Sequence, residues 1–104
     1  MDDKNNNKIT GFTDKEFDLV NWGEPEDMGK FPDINKIGYV KDPSGKIISE
    51  ITPLIMVINS AGQDWRRKVQ AMVAAGANLD MPIDNYYGRN TTAREIANKY
   101  RNGL

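Results

Sequence analysis

The 104-residue chain contains neither histidine nor cysteine, and this removes most of the chemistry open to a small protein. Thiol nucleophiles, Ser-His-Asp arrangements, disulfides and zinc sites built on Cys or His are all excluded. Carboxylates remain, gathered in GEPEDMG (Gly23 to Gly29). Acids beside a proline that suits a first helical turn are accounted for by the helix dipole. No D-x-[DN]-x-[DN]-G calcium loop occurs. AAGAN (Ala74 to Asn78) has one glycine, no lysine and no helix beginning after it. It therefore reads as a helix stop and not a phosphate cradle. The chain is expected to be non-enzymatic, with no cofactor and no metal.

Residue types suited to binding are better represented. In MPIDNYYGR (Met81 to Arg89), Met81, Tyr86, Tyr87 and Arg89 are types enriched at interface hot spots, with packing of the tyrosines onto adjacent helices as the equal alternative. Asp84 and Asn85 join Tyr86, Tyr87 and Arg89 as candidate contacts. An earlier segment, around KDPSGK, offers Tyr39, Lys41, Asp42, Ser44 and Lys46. DWRRK (Asp64 to Lys68) adds Trp65 and Arg66 as weaker candidates, most simply a solvated helix face. Charge is uneven: residues 1–50 hold 7 Lys+Arg against 11 Asp+Glu, and residues 51–104 hold 7 against 4. An acidic front and a basic back give no global attraction to nucleic acid. Polyanion binding through Arg66, Arg67, Lys68, Arg94 and Arg101 is kept as the alternative, with a steep salt dependence as its signature.

These residues must be held by short elements. Thr13 with Glu16 forms a capping box, Phe12 and Phe17 a hydrophobic staple, and Gly23 a stop in left-handed conformation. Phe17, Val20 and Leu19 supply the buried side of that helix. Pro25 can open one or two further turns. KIGYVKDPSGKIISEI (Lys36 to Ile51) reads as a β-hairpin turning at Pro43 and Gly45. Thr52 caps a helix over PLIMVI that is apolar on every side, so it should be buried almost all round. Trp65, Val69, Met72 and Val73 form the inner stripe of the next helix, capped by Asp64, with Arg66, Arg67, Lys68 and Gln70 outward. After an irregular stretch with turn chemistry, Ala93, Ile96, Ala97 and Tyr100 make the stripe of a last helix.

Several motifs resemble the ankyrin repeat family. TPLIMV (Thr52 to Val57) stands where that family has T-P-L-H-x-A, with Ile55 for His and Val57 for Ala. VQAMVAAGANLD (Val69 to Asp80) resembles its second helix and Gly-Ala-Asp-Val-Asn ending. DPSG (Asp42 to Gly45) and DNYYG (Asp84 to Gly88) resemble its D-x-x-G turn, TAREIA (Thr92 to Ala97) a closing repeat, and PDIN (Pro32 to Asn35) the end of an opening one. Thr52 to Thr92 spans 40 positions, against a usual period of about 33. The resemblance implies a mostly α, ankyrin-like helical solenoid of stacked helix-turn-helix units with extended β-hairpin fingers.

On that basis residues 1–11 are expected to be a flexible tail and 12–104 a single domain in units of about 12–35, 36–80 and 81–104. The expected function is a protein–protein interaction module, such as a small inhibitor, immunity or antitoxin-type protein, working through its fingers and concave face. With no secretory signal at its start and no 18-residue apolar run, the chain is expected to be cytoplasmic, not membrane-bound, and monomeric alone.

Overall fold

The computed structural model describes residues 7–60 and 62–103. Along the chain lie β1 (Lys8–Thr10), α1 (Asp14–Trp22), a 3-10 helix (Pro25–Lys30), β2 (Gly38–Lys41) and β3 (Ile47–Ile51). Then come α2 (Pro53–Ser60), α3 (Trp65–Ala74), β4 (Ile83–Tyr86), β5 (Arg89–Thr91) and α4 (Ala93–Arg101). Helices take 44% and strands 20% of the described residues, in two antiparallel sheets. The expected mostly helical solenoid is therefore corrected to a small mixed α/β domain. Two physical causes are visible. The segments between helices pair into sheets, and the second helix of the first unit is only a 3-10 turn, confined by Pro25 and Pro32.

Of the flexible tail expected over 1–11, residues 1–6 lie outside the described residues, and the rest holds a strand. Lys8, Ile9 and Thr10 pair with Lys41, Val40 and Tyr39, so β1 covers the edge that β2 would otherwise leave open. Gly38 permits that approach, because a Cβ there would overlap the Phe12 ring and lie 2.5 Å from the Thr10 carbonyl oxygen. β2 and β3 form the expected hairpin, with a bulge between Val40 and Lys41.

Local signals operate at α1. Thr13 Oγ1 accepts from the Glu16 amide (3.2 Å) and Glu16 Oε1 accepts from the Thr13 amide (2.8 Å). Phe12 and Phe17 meet edge-on at 6.2 Å. Gly23, expected to be left-handed, is extended at φ −66°, and its amide donates to the Asp18 and Leu19 carbonyls. Lys68, expected outward on α3, is buried and donates to the Val20 carbonyl at 3.3 Å. A cation there complements the negative C-terminus of α1. Val73, expected inward, is exposed. Asp64 stands at the start of α3 without a side-chain cap and lies 3.9 Å from Arg67.

The core centres on α2, which contacts α1, α3 and α4. Pro53 to Ile58 are all buried, and Thr52 Oγ1 accepts from the Ile55 amide. Val20, Met28, Val69, Met72, Ile83 and Ile96 close around them. No helix of the described residues is long and apolar enough to cross a membrane.

Glu16 is 1% exposed, and its Oε1 also accepts from Lys36 Nζ at 3.0 Å, while Oε2 has no partner among the described residues. Burial pulls this carboxyl upward, but the bonds from Thr13 and Lys36 outweigh it and hold the carboxyl below its ordinary value of 4.5. The group therefore binds its proton less readily in the folded chain than in the unfolded one. Its stabilisation is complete above about pH 4.5 and is lost as pH falls through the lower folded value. Lys36→Met is expected to cost about 1–2 kcal/mol near neutral pH. It should also flatten the acid limb, as read from urea midpoints near pH 7 and pH 3.

Candidate functional site

The second hairpin positions the aromatic candidates. The expected irregular stretch after Gly76 contains β4 and β5, joined by Tyr87 and Gly88 with Tyr86 opposite Arg89. Both loop residues have positive φ, 52° for Tyr87 and 87° for Gly88, the sign that a two-residue type I′ turn requires at each. Gly88 meets that demand at no steric cost. Tyr87 does not: asparagine, aspartate or glycine is the usual choice there. The turn is braced by Asn85 Oδ1, which accepts from the Gly88 amide at 2.7 Å.

Tyr87 is 51% exposed and meets Tyr86 edge-on at 5.0 Å. Burial, then the neighbouring Tyr86, pushes the Tyr87 hydroxyl above its ordinary value. Tyr86 is half-buried, and its hydroxyl accepts from Asn59 Nδ2 at 3.1 Å. Beside it lies a cleft of about 220 Å³ lined by Tyr86, Arg89, Glu95, Lys99 and Tyr100, among others. Tyr100 was expected in the inner stripe of α4 but is 56% exposed, with Lys99 over its ring at 5.6 Å. No element follows α4 among the described residues, and Ala93, Ile96 and Ala97 alone face inward.

The two hairpins are brought side by side by Glu50, whose Oε1 accepts from the Asp84 and Asn85 amides at 3.0 and 3.1 Å. One carboxylate thus satisfies two β4 donors. On the first hairpin, Asp42 Oδ1 accepts from the Ser44 amide, Ser44 Oγ and the Lys46 amide. The Ser44 hydroxyl, followed by the Lys46 amide, holds the Asp42 carboxyl below its usual range. Asp42 and Ser44, expected as partner contacts, are therefore occupied in forming the turn. Tyr39 projects from β2 opposite Glu50, Lys41 is half-buried, and Lys46 is exposed.

Trp65 and Arg66 belong to a different place. Trp65 is 4% exposed, with the Arg66 and Arg101 guanidiniums 4.8 and 5.3 Å from its ring. Arg66 also donates to the Gly103 and Arg101 carbonyls. Trp65 faces inward, as the stripe of α3 expects, and its separate assignment as a partner contact is corrected, because the ring is buried with the Arg101 guanidinium across it. The remaining cations weighed for polyanion binding are likewise engaged internally. Arg94 makes a two-pronged pair with Asp80 (2.8 and 3.1 Å), Arg101 Nε donates to the Ile58 carbonyl, Lys68 is buried, and Arg67 faces Asp64.

Sequence reasoning missed Glu50, Asn59, Lys99 and the exposure of Trp22. Only Trp22 carried a legible signal: it lies off the stripe formed by Phe17 and Val20. Among the described residues no group of acidic side chains gathers to hold a metal ion. Compared with protein-family models, with curated proteins and with solved structures, the chain has no match.

Proposed function

We propose that the protein is a non-catalytic module that binds another protein through its second hairpin and the adjoining cleft. The observation that carries this is Tyr87, a large aromatic kept at φ 52° on an exposed hairpin tip where a smaller residue would be more stable. A side chain that costs folding energy at a surface position is explained by what it does on contact. Tyr86, Arg89 and Tyr100 extend it into a patch of interface-type residues, with a cleft able to take a partner side chain. The ankyrin-like motifs of residues 52–80 lead to the same class of function, in a mixed α/β frame. Inhibition of the partner by occupying its surface fits a domain with so little reactive chemistry.

Tyr87→Asn separates the two roles of this residue. The variant is expected to raise the unfolding free energy by about 0.5–1 kcal/mol, because asparagine tolerates the left-handed region. Its affinity for a partner recovered with the tagged wild-type chain should fall about tenfold or more. Chemical denaturation and titration calorimetry read the two effects. Unchanged affinity for that partner would place binding elsewhere on the surface.

A further inference from the structure

At the opposite end of the chain, Trp22 is 79% exposed, the most exposed of the large hydrophobic side chains among the described residues. It walls a groove of about 810 Å³ on one side and a shallower one of about 460 Å³ on the other. Leu19, Gly23 and Pro32 contribute to the larger groove, so the indole stands within apolar surface and not on an isolated tip. A tryptophan this exposed is costly to leave in water and is the residue type most enriched at binding hot spots.

The charges around the two grooves favour one sign of partner. Asp14 and Asp18 line the larger groove and Glu24 the smaller. Of the nearby lysines, Lys30 is paired with Asp27 at 2.8 Å and Lys68 is buried on the Val20 carbonyl. Among the described residues lining the grooves, that leaves Lys15 alone against Asp14, Asp18 and Glu24. The two cation–π contacts to tryptophan among the described residues both fall on Trp65, so the Trp22 face is available to a cation from outside. An indole face ringed by carboxylates attracts a lysine or arginine by quadrupole and by net field together.

We infer that the outer face of α1, centred on Trp22, is a second docking surface, for a lysine- or arginine-bearing amphipathic segment of another protein. The segment's apolar side chains lie in the groove beside Leu19 and Pro32, and its cation rests on the indole near Asp18 and Glu24. The surface is separate from the second hairpin, so the protein can join two partners.

The test uses the full chain labelled with nitrogen-15 and two synthetic amphipathic peptides of the same leucine pattern, one carrying lysines and the other glutamates. The indole N–H signals of Trp22 and Trp65 report on the exposed and the buried ring separately. The lysine peptide should shift the Trp22 signal at low salt, with affinity falling as salt is raised. Trp22→Ala removes that indole, so its binding is followed by the backbone amide signals of α1, and it should weaken the peptide about tenfold or more. Asp18→Asn combined with Glu24→Gln should weaken it several-fold, and Tyr87→Asn should leave it unchanged. Any of four results overturns the inference: no shift, an equal response to both peptides, indifference to Trp22→Ala, or peptide-free self-association that consumes the Trp22 signal. The last would place a second copy of this chain on the face.

Discussion

Replacing Trp65 by alanine is expected to lower the unfolding free energy by about 3–5 kcal/mol, the range for truncating a buried aromatic. The ring is 4% exposed and lies beneath two guanidiniums, at 4.8 Å for Arg66 and 5.3 Å for Arg101. Its loss leaves a cavity and also releases both arginines. Arg66 then no longer holds the carbonyls of Arg101 and Gly103, and Arg101 no longer holds that of Ile58. Amide exchange should therefore accelerate first in the last turn of α4, before the rest of the core. Trp65→Phe retains a ring for the guanidiniums to cover and should cost less, about 1–2 kcal/mol. A Trp65→Ala midpoint close to wild type, with partner affinity lost, would instead return this residue to the surface of an interface.

Ile55→Ala is the second large effect, about 3–4 kcal/mol by urea denaturation. Ile55 is fully buried in α2, which has neighbours in α1, α3 and α4. Helix propensity favours alanine by a few tenths of a kcal/mol, too little to offset a cavity whose walls belong to several helices. The comparison that isolates burial is Ile47→Ala, in the same type of side chain. Ile47 is 43% exposed on β3, and its truncation should stay within about 0.5 kcal/mol. Against a total stability of about 5–15 kcal/mol for a domain of this size, the first substitution removes a large share and the second does not.

Those two isoleucines mark where sequence reasoning stops. Ile55 lies in an unbroken apolar run, and such a run is buried whatever surrounds it. Ile47 lies in KIISEI, where strand alternation allows either face to turn inward. The candidate site divides in the same way. Tyr87 and Arg89 were legible as interface residue types in a turn-rich stretch, but only the structure decides that Tyr87 faces outward. Asp42 and Ser44 looked equivalent to them, yet their hydrogen bonds are to each other and to Lys46. An Asx turn of this kind lies within five residues and could have been anticipated from Asp42-Pro43-Ser44-Gly45.

What the amino-acid sequence determined by itself is what acts over about four residues. The Thr13–Glu16 box, the Thr52 cap, the apolar run of α2 and the turn at DPSG each form from neighbours along the chain. What the tertiary structure decided depends on partners tens of residues away. Lys68 is buried because the Val20 carbonyl lies above it, and Arg101 is drawn across the Trp65 ring from the far end of the chain. Lys8–Thr10 is a strand because β2 offers an open edge, and Trp22 is exposed because nothing among the described residues covers the outer face of α1. A periodic pattern gives the direction of a helix's apolar face. Only long-range packing determines how far that face is covered, and the residues left at its margin are the ones available for binding.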